Sequence, residues 1–225
     1  MDKHYQPKFQ EEYSAKIPAL TLLTSLGWTF LSPKQIMDYR GYKQDEVVLR
    51  PVLREELSKR SFMAGGKTCQ LSEKALDNLI SQVCSPALNE GLLKANERMY
   101  NHLLYGITVT EFVDGKKVNP TIALIDWEHP ENNQFHFTEE FTVLRSGGVE
   151  TRRPDIVCFV NGIPLAVIEA KSPAGHGKKG QPLTKGYPRV SAISSTTKSR
   201  SCLLTARYYC RLTGMTGATV PVIHQ

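Results

Sequence analysis

The spacing of apolar residues changes at Gly106, and this change constrains the fold of the 225-residue chain more than any other feature. Before Gly106, apolar residues recur at helical spacing, as in residues 17–28 and 47–60. After Gly106 they alternate as in half-buried strands, and turn-forming residues such as Asp114-Gly115 separate the alternating runs. Helices followed by about five strands predict an α/β or α+β fold, in which helices flank a central mixed sheet.

The same patterns predict where the elements lie. Ser32 and Pro33 are residue types of a helix cap and first turn, and the AGGK stretch at 64–67 is interpreted as a loose connection. Asp114-Gly115 is predicted to form a hairpin tip. The predicted helices cover residues 17–28, 33–39, 47–60, 71–83 and 88–103, and the predicted strands cover residues 106–113, 117–127, 135–145, 153–160 and 164–171.

Composition excludes several classes of protein. The chain is 40% hydrophobic, yet no apolar run approaches the roughly 18 residues that a membrane span needs. The first fourteen residues lack the basic start and apolar core of a secretory signal. The five cysteines are unevenly spaced and form no CxxC pair. We therefore expect a cytoplasmic protein with reduced thiols and no membrane association.

The net charge of +6 comes from the end of the chain. No acidic residue follows Glu169, and residues 172–225 hold eight of the 28 basic residues. In residues 1–171, the other 20 basic residues are outnumbered by 22 acidic ones, which gives a net charge of −2. The basic isoelectric point is thus a property of the tail, and it is weak evidence that the rest of the chain binds nucleic acid.

Two carboxylates and one lysine are predicted to meet at one end of a hairpin. Asp155 opens an apolar strand, Glu169 closes the next one, and Lys171 follows two residues later. If Asp155 lies opposite Glu169, strand alternation places all three side chains on one face. A carboxylate inside the apolar run LAVIEAK is unusual for a buried strand, which favours a function over a solvated surface.

The predicted pairing depends on the length of the connecting loop. A three-residue loop at 161–163 pairs Val160 with Pro164, and the same register places Asp155 opposite Glu169. A tight two-residue turn would shift the register by one residue and place Asp155 opposite Ile168. We therefore predict the longer loop.

The paired carboxylates point to a divalent cation. Two ionised carboxylates a few ångströms apart repel unless a positive charge lies between them. Mg²⁺ prefers hard oxygen ligands and is typically held by one or two carboxylates together with a substrate phosphate. A lysine beside such an ion can help to position and deprotonate a water. The chemistry that these groups suit is phosphodiester hydrolysis.

The same residues resemble a known family. RPDIVCFVNGIPLAVIEAKSP resembles the PD-(D/E)xK nuclease signature, and it is similar to the amino-terminal endonuclease domain of the R subunit of type I restriction enzymes. The resemblance extends over most of residues 1–180, through IPALTLLTSLGWTFLSP, VVLRPVLREELSKR, ANERMYNHLLYGITV and IALIDWEHPENNQFHFTEEFTV.

The resemblance implies roles and partners. It implies that Asp155 and Glu169 bind Mg²⁺, that Lys171 is the catalytic lysine, and that the substrate is double-stranded DNA. It also implies a complex with methylase and specificity subunits, and ATP-driven motor domains that follow the nuclease domain. No GxxxxGK[ST] phosphate loop occurs in these 225 residues, so we expect no ATP hydrolysis by this chain alone.

Further residues have open roles. Nucleases of this group often add an acidic residue from the first helix, and Glu11 and Glu12 are candidates, although a carboxylate at a helix start also favours the helix dipole. Four basic residues are either phosphate contacts or merely exposed: Arg152, Arg153, Lys178 and Lys179.

The tail differs from the rest of the chain. We predict a nuclease domain over residues 1–180 and a poorly ordered basic tail over residues 181–225. Hydrophobic periodicity is lost after Gly180, and a frameshift would explain this. Read two nucleotides on, the possible codons for residues 197–210 permit a sequence containing Q-L-F-A-Y. That sequence resembles the QxxxY helix that supports the active site in this group, so the chain as written would lack it.

Three interpretations remain open from the sequence. The first is a truncated DNA endonuclease domain of a type I R subunit, and the second is a stand-alone PD-(D/E)xK nuclease of another system. The third is a catalytically defective fragment that serves only as a docking module. The intact set of Asp155, Glu169 and Lys171 argues against simple decay, and the long helical start argues against a minimal nuclease.

Overall fold

The computed structural model describes residues 15–85, 89–144, 150–170 and 189–191. The helices are α1 (Ile17–Ser25), α2 (Pro33–Tyr39), α3 (Arg50–Ser58), α4 (Glu73–Cys84) and α5 (Leu92–Tyr105). The strands are β1 (Thr29–Phe30), β2 (Ser61–Ala64), β3 (Lys67–Gln70), β4 (Ile107–Thr108), β5 (Glu111–Val113), β6 (Lys116–Val118), β7 (Thr121–Ile122), β8 (Phe135–Glu139), β9 (Val143–Leu144), β10 (Thr151–Arg152), β11 (Ile156–Val160), β12 (Ile163–Glu169) and β13 (Arg189–Ser191). None of the helices in these ranges has the length and apolar character needed to cross a membrane.

The central sheet is mixed, as the sequence predicts. Its strand order is β1-β8-β11-β12-β13, with β1 parallel to β8 and the other neighbours antiparallel. The remaining strands pair two by two in small sheets. Residues after Gly106 therefore supply four of the five strands of this sheet, and β1 comes from the helical half of the chain.

Local sequence signals set the helix ends. At the start of α2, the Gln35 N–H donates to the Ser32 hydroxyl and the Ser32 N–H donates to the Gln35 side chain, which is a complete capping box. At the start of α4, the Ser72 hydroxyl accepts from the Ala75 N–H, and the buried Glu111 carboxylate accepts the Ser72 N–H at 2.8 Å. A carboxylate at a helix N-terminus also favours the helix dipole.

Two predicted elements begin or end elsewhere. The helix predicted from residue 47 begins at Arg50, because the buried residues 47–49 run outside the helix and the Leu49 N–H donates to the Gly162 carbonyl at 2.8 Å. The AGGK stretch is not a loose connection. Its glycines form the tip between β2 and β3, with positive φ values of +56° at Gly65 and +77° at Gly66.

The two faces of the central sheet are covered differently. On one face, α1 places Leu23 against Phe137, Ile156 and Cys158 in a small cluster. On the other face, Val157 and Phe159 belong to the main core, which includes buried side chains of α3 and α4. All five residues of β11 are buried, so this strand forms the centre of the molecule.

Candidate active site

The predicted acidic residues lie at the open end of the hairpin formed by β11 and β12. The turn of this hairpin is Asn161-Gly162, and Val160 pairs with Ile163 across it. The predicted three-residue loop and the pairing of Val160 with Pro164 are therefore wrong. Asn161 and Gly162 have φ values of +51° and +79°, the conformation that a two-residue turn between twisted strands requires.

A β-bulge restores the predicted register. Phe159 pairs with Pro164, whereas Cys158 pairs with Ala166, so Leu165 is an extra residue on β12. Beyond the bulge, Ile156 pairs with Ile168. One further step in this register brings Asp155 opposite Glu169, and the expected alignment of the two carboxylates follows from the bulge instead of from a longer loop.

Backbone hydrogen bonds hold Asp155 at the start of β11. The Ala170 N–H donates to Oδ2 of Asp155 at 2.8 Å, which joins the open ends of the two strands. On the other side, the Glu140 N–H donates to the Asp155 carbonyl at 2.9 Å, and the Phe141 N–H donates to the Pro154 carbonyl at 3.2 Å. Asp155 and Glu169 are both partly exposed, as ligands of a solvent-accessible ion must be.

Arg40, the residue that follows α2, supports the position of Asp155. Its buried guanidinium donates to the Thr142 carbonyl at 2.9 Å and to the Gln44 carbonyl at 2.8 Å, and it lies 4.4 Å from the centre of the Phe141 ring. Because the Phe141 N–H binds the Pro154 carbonyl, Arg40 helps to fix the segment that precedes Asp155. The role of Arg40 carries no signal in the sequence, since a buried arginine depends on tertiary contacts.

The predicted site residues divide into two groups. Asp155, Glu169, Arg152 and Arg153 are described, whereas Lys171, Lys178, Lys179, Glu11 and Glu12 lie outside the described residues. The same holds for the predicted basic tail, except that residues 189–191 form β13 and pair with β12. Nη1 of Arg153 lies 3.1 Å from Oε2 of Glu140, and Arg152 forms no ion pair with the described part of the chain.

A group of charged residues beside Asp155 was not predicted from the sequence. Nζ of Lys16 lies 2.7 Å from Oε2 of Glu139 and 3.1 Å from Oε1 of Glu140. The side-chain hydrogen bond from Lys16 lowers the pKa of Glu140, and Arg153 lowers it further. Two consecutive glutamates at the end of the apolar strand FHFTEEF were the available signal.

Comparison with known proteins decides the family. The family model described as "Type I restriction enzyme R protein N terminus" matches residues 8–201. This chain belongs to that family. The match includes the whole described hairpin and runs beyond residue 180, where the sequence analysis placed the end of the domain. That predicted boundary stays a prediction.

Individual relatives agree with this membership in the type I R protein family. A Haemophilus influenzae protein named as the HindI endonuclease subunit of a type I restriction enzyme is 32% identical over 164 residues. A Methanocaldococcus jannaschii protein named as the MjaVIIIP endonuclease subunit is 29% identical over 151 residues. These alignments cover 70% and 66% of this chain, but only 15% and 13% of the relatives. The chain therefore spans a small part of the length of the relatives that it matches.

The donor set of this R protein domain is compatible with a hard cation. Asp155 and Glu169 carry carboxylate oxygens, which are the kind of ligand that Mg²⁺ prefers. Within the described ranges, no group of three or more His, Cys, Asp or Glu side chains could hold a metal. Two carboxylates are the number that Mg²⁺ sites commonly use, with water and substrate phosphate as the remaining ligands.

Proposed function

We propose that this domain is the Mg²⁺-dependent DNA endonuclease domain of a type I restriction R subunit. Its reaction is the hydrolysis of phosphodiester bonds in double-stranded DNA. The observation that supports the proposal is the bulged register of β11 and β12, in which Ile156 pairs with Ile168 and the next residues in line are Asp155 and Glu169, in a chain of the type I R protein family. The proposal is also consistent with the relatives, which are named as endonuclease subunits.

Asp155 and Glu169 would hold the Mg²⁺ ion. The ion, when bound, supplies charge stabilisation to the phosphate and lowers the pKa of a bound water. The Ala170 N–H fixes Asp155 through Oδ2, so the other carboxylate oxygen is available for the ion. Because this bond comes from the backbone beside Glu169, it also couples the positions of the two ligands.

Lys171 is proposed to orient the attacking water and to favour its deprotonation. This role is carried over from the resemblance, since Lys171 follows Ala170 in the ExK pattern. An ammonium group in this position would stabilise the negative charge that develops on the attacking water. Arg152, Arg153, Lys178 and Lys179 are proposed to contact DNA phosphates.

The wider assembly is a further part of the proposal. Methylase and specificity subunits would direct the complex to DNA, and ATP would be used by motor domains elsewhere in the R subunit. The proposed location is the cytoplasm, where such a complex meets foreign DNA. A docking-only fragment remains the non-enzymatic alternative.

Substitution of the three site residues tests the nuclease proposal. In a full-length R subunit that carries this domain, Asp155→Ala, Glu169→Ala and Lys171→Ala should each abolish DNA cleavage, while ATP hydrolysis persists. Glu131→Ala, at an exposed acidic residue of the short turn Pro130–Asn132, is the matched control and should leave both activities intact. Loss of ATP hydrolysis together with cleavage in all three site variants would show a folding role instead.

The frameshift hypothesis needs a separate comparison. In the assembled enzyme, this chain should cleave DNA less than a chain whose restored frame encodes Q-L-F-A-Y and the domains beyond it. Equal cleavage by both chains would refute the hypothesis that the written tail costs the enzyme its function.

A further inference from the structure

Four charged side chains form a cluster beside Asp155, here called the Glu140 cluster: Lys16, Glu139, Glu140 and Arg153. Glu140 lies at its centre, because one of its carboxylate oxygens is 3.1 Å from Nζ of Lys16 and the other is 3.1 Å from Nη1 of Arg153. The Glu140 N–H donates to the Asp155 carbonyl. The cluster is therefore hydrogen-bonded to Asp155, the proposed catalytic residue immediately before β11.

The two cations of the cluster are held very differently. The Lys16 side chain is only 13% exposed and contacts both glutamates, so it is a fixed part of the junction between α1 and β8. The Arg153 side chain is 64% exposed, and Glu140 is its ion-pair partner. An exposed ion pair contributes only about 0–1 kcal/mol, so Arg153 can exchange Glu140 for another anion at little cost.

The backbone fixes Glu140 in place. Its φ of +52° lies in the left-handed region, which costs a residue with a side chain about 1–2 kcal/mol. Backbone strain of this kind persists where surrounding contacts hold it, and the hydrogen bond to Asp155 is such a contact. The carboxylate of Glu140 thus has a defined position beside Asp155.

A carboxylate and a phosphate offer a guanidinium the same kind of partner. Both are oxyanions that accept charge-assisted hydrogen bonds from arginine. In the free protein, the Glu140 carboxylate holds the Arg153 guanidinium two residues before Asp155. A DNA strand whose scissile phosphate lies at Asp155 brings neighbouring phosphates along the same edge.

We propose that Glu140 is an internal substitute for a DNA phosphate: it holds Arg153 in the free protein and releases Arg153 to the DNA backbone on binding. This inference rests on the proposed nuclease function. Glu140 consequently competes with DNA and limits its affinity, while Lys16 keeps Glu140 in place during the exchange.

A double-mutant cycle for DNA binding tests the inference. The full 225-residue chain would be titrated with a labelled duplex of mixed sequence in EDTA, with fluorescence anisotropy as the readout. Because Glu140→Gln removes the anion that competes with DNA for Arg153, it should tighten binding about fivefold. In an Arg153→Ala background, the same substitution should change the affinity by less than about twofold.

Glu139→Gln is the matched control. Glu139 is adjacent in sequence and also pairs with Lys16, but no Arg153 contact to it is present among the described residues. Its effect on affinity should be the same in both backgrounds. If Glu140→Gln also acts equally in both backgrounds, its effect is general charge repulsion and the inference is wrong.

The outcome is separable from the nuclease proposal. If Asp155→Ala abolishes cleavage but the cycle shows no coupling, only the role of Glu140 fails. If Asp155→Ala leaves cleavage intact, the proposed site itself fails, whatever the binding data show. Gln at position 140 keeps the size and backbone geometry of Glu, so misfolding is not expected to obscure the result.

Discussion

Different kinds of contact hold the two ends of the hairpin formed by β11 and β12. At the turn, the fully buried Asn161 is held by neutral hydrogen bonds, and Gly162 lies under the start of α3. At the open end, Asp155 is hydrogen-bonded to Glu140, whose carboxylate pairs with Lys16 and with the exposed Arg153. Buried neutral hydrogen bonds fix one geometry, because breaking them leaves unpaired groups without water. Exposed ion pairs exchange partners at little cost, which would suit the proposed binding of DNA at this end.

The largest effect on stability is expected at Gly162. A Cβ at this position would lie 2.6 Å from the Leu49 carbonyl oxygen and 3.0 Å from the Leu53 nitrogen, both of which are backbone atoms that cannot rotate away. Gly162→Ala should lower the free energy of unfolding by about 4 kcal/mol through this clash and the positive φ. Urea denaturation of the whole chain measures this.

Gly115→Ala distinguishes the steric clash at Gly162 from the cost of its positive φ. Gly115 has a similar φ of +74° in the two-residue turn between β5 and β6, but no atom lies within 4 Å of its added Cβ. Its substitution should cost only about 1 kcal/mol, which is the conformational part alone. Equal losses at both glycines would show that the contact with α3 does not constrain the hairpin.

A smaller loss is expected at Asn161. Its side-chain amide donates to the Leu124 carbonyl and to Oδ1 of Asn133, both at 2.9 Å, and its Oδ1 accepts the Gln134 N–H at 2.8 Å. Asn161→Ala leaves these buried groups unpaired and should cost about 3 kcal/mol in urea denaturation.

Asp114→Ala is the control for Asn161. Asp114 occupies the same turn position at the exposed tip between β5 and β6, with an almost identical φ of +51°. Its substitution should cost about 1 kcal/mol, since it loses the left-handed preference and only an exposed ion pair with Lys67. If Asn161→Ala costs no more than this, the buried network does not stabilise the turn end.

The smallest effects are expected in the pH dependence of stability. Titrating groups at the turn end and at the open end of the hairpin should change the free energy of unfolding over different pH ranges. Burial lowers the pKa of His136, on the strand beside the turn, although Glu55 and Glu56 raise it in part. The unfolded chain therefore binds a proton more readily, so stability falls as the pH drops below the ordinary histidine value of 6.5. His136→Gln should reduce this fall, and burial of His102 leaves a remainder.

Contacts at the open end of the hairpin should be lost at a lower pH than those around His136. Lys16, and to a lesser extent Arg153, lower the pKa of Glu140, so the contribution of its ionised form is complete above the ordinary value of 4.5 and is lost on acidification below it. Thermal unfolding measured over a pH series should show Glu140→Gln flattening only this acidic part. A change in the slope of stability against pH above 4.5 in that variant would contradict the assignment.

Local sequence signals were sufficient where neighbouring residues decide the structure. The capping box at Ser32 and the hairpin tip at Asp114-Gly115 are confirmed, because each depends on a few adjacent residues. The glycines of AGGK form a hairpin tip that was interpreted as a loose connection. Here Lys67 to Gln70 carries no apolar alternation, so the strand is visible only through its pairing with β2.

The sequence alone determined that helices precede a sheet, that two carboxylates end adjacent strands, and that the chain resembles the type I R subunit. Only the tertiary structure decided how those carboxylates align. The tight turn at Asn161-Gly162 is selected by the buried contacts with residues 49, 124 and 133, and by itself it would misplace Asp155. The bulge at Leu165 corrects the register, because burying both faces of the hairpin requires the alternation of β12 to match β11 and β8. That requirement comes from packing across the sheet and leaves no signature in the two strands themselves.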